Sequence, residues 1–340
     1  MAYTTIDKHT AHFNNKTYSG NGSTQSLTGV GFQSDFTWIK ERSSTSGHVL
    51  IDVIRGVDKV IRSNSLNAES TDADCITSFD SDGFSLGADV KSNENSQTYA
   101  SWNWKGAGSS TSNSDGDISS TVSANTTAGF SIVAYTGNGT SNSGVGHGLG
   151  AKPSAVIIKS RNTSSTDWIL YTDVIDGSYD FFKLSTTDGK GDSGASGGFT
   201  TTEFHISGTD TNTNYSNKIA YCFVEKKGYS KIGMYKGNNN ADGTFVYTGF
   251  KPVFVMVKHD GSSNWTINDA GRDPTNVNNL RLFPNQNVAE SSGSDSMDLL
   301  SNGFKLRSTD GGNNGGNDTY WYMAIGQSLV GSNNVVATAR

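Results

Sequence analysis

Tyr18-Ser19-Gly20-Asn21-Gly22, Tyr135-Thr136-Gly137-Asn138-Gly139 and Tyr235-Lys236-Gly237-Asn238 are three copies of one strand-and-turn cassette. In the first two copies a phenylalanine, Phe13 or Phe130, stands five residues before the tyrosine; the third lacks the final glycine. Each cassette precedes an apolar stretch ending in lysine: Phe36-Thr37-Trp38-Ile39-Lys40, Val156-Ile157-Ile158-Lys159 and Val253-Phe254-Val255-Met256-Val257-Lys258. These lysines are 159 − 40 = 119 and 258 − 159 = 99 residues apart. Further on, a Gly-Phe pair opens another strand (Gly83-Phe84, Gly198-Phe199, Gly303-Phe304), and aromatic runs at 99–104, 219–223 and 320–325 close each unit. Self-similarity at this period marks a duplicated module. Short strands with turn signals every ~8–12 residues mark a sandwich or jelly roll. The expected fold class is all-β: three tandem antiparallel β-sandwich repeats of jelly-roll or concanavalin A-like type.

Composition agrees. Only 33% of the 340 residues are hydrophobic, and glycine reaches 40 against 4 prolines. The 35 aromatic residues, 16 Phe, 13 Tyr and 6 Trp, nevertheless supply enough apolar surface for packed cores. Glutamate occurs six times, so aspartate accounts for 32 − 6 = 26 acidic residues. Aspartate favours turns and glutamate helices, so this bias also reads as loops joining strands. A net charge of −6 without runs of Lys or Arg argues against a nucleic-acid partner. No apolar run approaches the ~20 residues of a membrane helix, and the polar N-terminus lacks a signal-peptide core. The expectation is a soluble protein that neither enters a membrane nor leaves by that route. Cys75 and Cys222 occupy non-equivalent places and read as two buried free thiols.

The expected organisation is a polar leader and first sandwich over 1–105, then a Gly/Ser/Asn-rich linker over 106–129. The second sandwich takes 130–228, the third 229–329, and a C-terminal tail 330–340. Within the linker, 118–122 alternates enough to add an edge strand, while 68–74 in the first unit could form a helical turn. The continuous apolar run 253–257 predicts a strand covered on both faces, by a neighbouring repeat or another subunit. The variable middles, about 57–77, 177–196 and 273–296, are where ligand binding is expected.

Each motif with chemical potential has a plainer reading. Gly191-Asp192-Ser193-Gly194 matches the nucleophile context of trypsin-like proteases, but Ser193 needs a histidine base. His147 lies in a Gly-rich turn, and the motif occurs in one copy only, so a hairpin loop is favoured. No glutamate has an acidic partner two residues away on a strand, which argues against a glycosidase pair. Asp80-Ser81-Asp82-Gly83 and Asn113-Ser114-Asp115-Gly116-Asp117 crowd oxygens as calcium prefers. Asp80, Asp82, Asp115 and Asp117 are therefore weak calcium candidates; no other cofactor and no catalytic residue is expected. Asp52-x-x-Arg55 and Asp269-x-x-Arg272 read as structural ion pairs, absent from the middle unit. Lys40, Lys159 and Lys258 are expected to run their stems along apolar surface and place their charges in water. Trp168 and Trp265, which share one strand position with His48, read as core.

The segments 29–40 (Gly-Val-Gly-Phe-Gln-Ser-Asp-Phe-Thr-Trp-Ile-Lys), 81–87 (Ser-Asp-Gly-Phe-Ser-Leu-Gly), 99–105 (Tyr-Ala-Ser-Trp-Asn-Trp-Lys) and 301–307 (Ser-Asn-Gly-Phe-Lys-Leu-Arg) resemble a family of tailed-phage virion structural or tail-fibre proteins. That family is frequent in marine and cyanobacterial viruses and carries concanavalin A-like sandwich repeats. The resemblance covers nearly the whole chain. It implies a non-enzymatic virion component, a tail fibre or appendage that adheres to host-surface glycans, made in the host cytoplasm and carried on the tail or capsid exterior. Other virion proteins, host polysaccharide and further copies of the chain, as a homo-oligomer with a trimer favoured, are the implied partners. The competing reading is a capsid decoration or cement protein without a ligand, and a third is a glycan-degrading enzyme.

Overall fold

A strand whose two faces are both apolar needs a layer on each side, and the lysine-terminated strands obtain both. The computed structural model describes residues 4–330, excepting the side chains of residues 294 and 295. It is all-β apart from single helical turns at His9–Ala11, Val90–Asn93 and Thr209–Asn212. One strand order occurs three times: Phe13–Ser19, Thr98–Trp104, Phe36–Glu41, Val49–Asp52; then Phe130–Thr136, Asn217–Phe223, Ala155–Ser160, Ile169–Thr172; then Ser230–Lys236, Thr319–Ser328, Phe250–His259, Trp265–Asp269. All these pairings are antiparallel.

Against each of these inner sheets packs an outer sheet, built round Gly83–Leu86, Glu203–Ile206 or Gly303–Leu306. Strand alternation divides the side chains between two cores. Ile39, Val156, Ile158, Val255 and Val257 face their own outer sheet. Phe36, Trp38, Ala155, Ile157, Phe254 and Met256 point the other way, into one core shared by all three inner sheets. Phe36 stacks on Tyr221 with ring centroids 4.1 Å apart, and Trp104 meets Phe130, Phe223 and Phe254. The cover predicted for 253–257 is thus the neighbouring sandwiches of the same chain.

The repeated cassette is a clasp. Tyr18, Tyr135 and Tyr235 donate their hydroxyls to the carbonyls of Ser92, Thr211 and Asn313 at 2.7, 2.8 and 2.6 Å. The next side chain, Asn93, Asn212 or Asn314, accepts from the cassette asparagine's N–H at 2.9, 2.9 and 3.0 Å. Its amide returns a bond to that asparagine's Oδ1 at 3.1 Å each time. A Cβ on Gly20, Gly137 or Gly237 would sit 2.1, 2.4 or 2.1 Å from a backbone oxygen, so only glycine fits.

The segments expected to bind ligands are straps between sandwiches. Glu69 N–H donates to Arg161 C=O (2.7 Å), Lys190 N–H to Asp260 C=O (2.6 Å) and Glu290 N–H to Arg42 C=O (2.8 Å). The first strap therefore grips the second sandwich, the second grips the third, and the third returns to the first. A second set of bonds runs round the same cycle. Trp168 Nε1 donates to Arg62 C=O (2.8 Å), Trp265 Nε1 to Lys183 C=O (3.0 Å) and His48 Nε2 to Phe283 C=O (2.8 Å). A third set links closing strands to the ends of neighbouring strands: Tyr221 hydroxyl to Asp52 (2.8 Å), Trp102 Nε1 to Asp269 (3.0 Å) and Trp321 Nε1 to Thr172 (3.2 Å).

Two local expectations are corrected, and two segments carry more structure than the sequence showed. Residues 68–74 form no helical turn; Ser70–Thr71 is a short strand paired with Lys59–Val60. The 106–129 linker carries two strands, Thr111–Asn113 and Ser120–Asn125, which extend the second inner sheet. The second of these is the edge strand expected over 118–122, beginning two residues later; the first was hidden by the segment's Gly/Ser content. Gly198-Phe199 does not open a strand; Phe204, in Glu203–Ile206, holds the place of Phe84 and Phe304. The leader is anchored, with Ile6 in the shared core and Gln327 bonded to both His9 N–H (2.8 Å) and Asp7 C=O (2.6 Å). The tail over 331–340 lies outside the described residues.

The ion pairs are wholly buried. Arg55 Nε lies 2.5 Å from Asp52, and Arg272 Nε lies 2.5 Å from Asp269. Arg55 also reaches Glu69 on its own strap, and Arg272 reaches Glu290. Replacing one partner of such a pair strands the other charge in the interior. Arg55→Met and Arg272→Met are each expected to cost about 3–5 kcal/mol in urea unfolding. A loss near that of a surface change would show that the ring does not depend on them.

Candidate functional site

Most of the conspicuous polar residues are consumed by the architecture. Lys40, Lys159 and Lys258 share a strand face with the core residues Trp38, Ile157 and Met256, so they point between sandwiches and are fully buried. The expectation that they reach water is therefore wrong. Lys159 Nζ donates to the carbonyls of Thr166 (2.6 Å) and Leu66 (3.2 Å), the latter on the neighbouring strap. Lys258 Nζ donates to Ser263 (2.7 Å) and, across the interface, Thr187 (3.1 Å). Lys40 Nζ donates to Glu41 C=O at 2.5 Å. Burial lowers the pKa of all three ammonium groups, and of Lys218, to about 8.

Trp168 and Trp265 are fully buried, as expected of core. His48 is held neutral, its pKa lowered to about 3 by burial. Its Nδ1 accepts from Trp38 Nε1 at 2.8 Å, so the proton on Nε2 serves the strap carbonyl. Cys75 and Cys222 are free, buried in different cores, and their thiols are pushed upward by burial.

The four calcium candidates are not brought together. Asp80 accepts hydroxyls from Ser78 and Ser85, both at 2.7 Å. Asp82 accepts the N–H groups of Gly29 (2.9 Å) and Gly31 (2.6 Å), which hold its pKa below the ordinary carboxylate value. Asp115 accepts from Asn113 at 3.1 Å, and Asp117 from Gly144 N–H at 2.9 Å. Among the described residues no three His, Cys, Asp or Glu side chains converge as metal ligands.

Ser193 does reach a cleft, though without a histidine. His147 is buried, with Nδ1 accepting Leu149 N–H at 3.1 Å and Nε2 facing Thr200 C=O at 3.4 Å. The cleft lies on the second sandwich and has a volume of about 280 Å³. Ile169, Tyr171 and Phe181 form its apolar side; Ser193, Thr209, Asp210 and Lys183 are its polar groups. Phe181 is positioned by Gly191, where a Cβ would meet the ring at 2.6 Å. Asp210 Oδ1 accepts Asp167 N–H at 2.9 Å, and Lys183 is paired with Asp167 at 2.9 Å. The arrangement offers an apolar floor with hydroxyls and one carboxylate around it, and no nucleophile–base pair. Sequence reading placed Ser193 in a loop but missed Phe181 and Asp210, which come together only when the loop folds over the sheet edge.

A family model spans residues 8–328. The chain belongs to the DUF7483 family. That family is described as a domain of unknown function. No curated protein and no solved structure matches the chain. The DUF7483 match runs across all three inner sheets and all three straps, so the family's unit is the whole ring rather than one sandwich.

The buried lysines give the DUF7483 chain an unusual pH response. Each holds its proton less firmly when folded, at about 8, than at the ordinary value of 10.5. Stability is then lost as pH falls through about 8 and recovered as pH rises toward 10.5. The urea midpoint is expected to rise between roughly pH 7.5 and 9.5, below the range where tyrosines of the unfolded chain ionise. Lys159→Met removes one share of that slope; a midpoint that falls throughout the interval contradicts the assignment.

Proposed function

We propose that this protein is a non-enzymatic structural component of a phage particle, a tail fibre or appendage subunit that adheres to host-surface glycans. The observation that carries the glycan reading is the cleft on the second sandwich. Its apolar floor of Ile169, Tyr171 and Phe181 suits the C–H face of a sugar ring, and Ser193, Thr209 and Asp210 suit its hydroxyls. The resemblance to virion proteins supports the structural part, as does the closed ring of sandwiches, which makes a rigid unit from one chain. Other virion proteins and further copies of the chain are the proposed assembly partners. The threefold contact pattern that a homotrimer would supply already recurs within the monomer.

The capsid-decoration reading shares the scaffold and dispenses with the cleft. Binding separates the two. Isothermal titration of the full chain with purified host-surface polysaccharide is expected to show saturable binding. Phe181→Ala and Asp210→Asn should each weaken it by about tenfold or more. Absence of binding, together with failure of the protein to block infection, would sink the adhesin in favour of decoration. Release of reducing ends from the polysaccharide would overturn the non-enzymatic assignment.

A further inference from the structure

The second and third sandwiches differ at one edge, and the difference exposes a surface. In the second sandwich the outer-sheet strand Ser143–Gly146 is covered by the chain's own connector. Asp117 and Ile118 N–H groups both donate to Gly144 C=O, at 2.9 and 3.1 Å, while Gly144 N–H donates to the Asp117 carboxylate at 2.9 Å. Ile118 forms a parallel bridge with Val145 and is buried in that sandwich's core. The connector lies so close that a Cβ on Gly146 would stand 1.8 Å from Asn113 Oδ1.

The equivalent strand of the third sandwich is Phe245–Tyr247. Val246 faces Phe304 in the register as Val145 faces Phe204, so Phe245 and Tyr247 occupy the places of Gly144 and Gly146. Both are exposed, at 43% and 56%. This strand ends its sheet, and neither a strand nor an isolated bridge pairs with its outer edge among the described residues. Ladder alternation turns the N–H and C=O of Phe245 outward, as it turns those of Gly144.

Three cations, Lys231, Lys305 and Arg307, stand near this edge, interleaved with Asp242 and Asp298, which pair with Arg307 at 3.0 and 2.6 Å. Lys231 donates to Tyr247 C=O at 2.9 Å, with its ammonium 5.7 Å from the Tyr247 ring. Lys305 stands opposite Phe245 in the register, and Arg307 lies beyond it, with Asp242 held between them. An acidic strand meets both the hydrogen-bonding edge and the cations.

We propose that the edge of Phe245–Tyr247 docks an extended, aspartate-bearing segment of another polypeptide, as Asp115–Ile118 docks on the second sandwich. The carboxylate accepts from Phe245 N–H beside Lys231 and Lys305, and the two aromatic rings flank the segment where glycines let the connector lie flat. This is strand addition, in which main-chain bonds give affinity and side chains give selectivity.

The probe is a fluorescently labelled peptide with the sequence of residues 113–125, titrated against the full chain at low salt by anisotropy. Saturable, salt-sensitive binding is expected, weakened by about tenfold or more in Lys231→Glu and in Phe245→Ala. Both substitutions fall on accessible positions, and retention of the wild-type urea midpoint in each variant excludes misfolding. Three outcomes overturn the proposal: no saturation with the peptide, equal binding by a peptide carrying Asp115→Lys and Asp117→Lys, or binding of a neutral oligosaccharide that Phe245→Ala abolishes while the peptide does not bind. The cleft variant Phe181→Ala should leave peptide binding unchanged, which keeps this edge distinguishable from the glycan site.

Discussion

The second face of each inner sheet is the constraint on which everything else depends. Trp38, Trp102, Trp104, Tyr221, Phe254 and Trp321 lie on those faces and are almost entirely buried. Left facing water, a single sandwich would expose an apolar sheet of a size that soluble monomers avoid. Three such faces closed round one core remove the problem together. The sandwiches are therefore parts of one folding unit despite their separate outer cores.

Closure brings polar atoms into the interior, and the strap carbonyls among them are partnered, although Trp104 Nε1 in the same core is not. A buried carbonyl without a donor costs about 1–3 kcal/mol, so the strap carbonyls at Arg62, Lys183 and Phe283 require Trp168, Trp265 and His48. The same logic fixes Tyr221, Trp102 and Trp321 as hydrogen-bonding aromatics rather than phenylalanines. Symmetry is kept in the bonds and relaxed in the residues. The middle sandwich has Thr172 where the others have Asp52 and Asp269, and it needs no arginine there because a hydroxyl carries no buried charge.

Much of this was legible in the sequence. The cassette, the lysine-terminated strands and the closing aromatic runs reported the inner sheets, because strands buried on both faces read as continuous apolar runs. Asn93, Asn212 and Asn314 were missed, although each lies six residues before Tyr99, Lys218 or Tyr320; asparagine is too common in turns here to stand out. The lysines were misread because an isolated strand gives no hint that its far end enters an interface. That the variable middles also strap one sandwich to the next did not show in the sequence, for a related reason. The Glu69 and Glu290 carboxylates pair with Arg161 and Arg42, but the contact shared by all three straps uses the N–H of Glu69, Lys190 and Glu290, a backbone group that leaves no trace in sequence. The cleft was half visible through Ser193, and its floor was not.

The functional consequence is a division of labour between ring and rim. Residues that resemble chemistry in the sequence, the Asp–Arg pairs, the lysines and the tryptophans, hold the ring closed. In the proposed reading, recognition falls to the cleft beside Phe181 and the edge at Phe245. Differential scanning calorimetry of the full chain tests the shared core most directly. The account predicts one transition, with calorimetric and van't Hoff enthalpies equal, as befits a single cooperative unit. Separate transitions for individual sandwiches, or a calorimetric enthalpy about three times the van't Hoff value, would show that the sandwiches fold independently and that the central core does not bind them together.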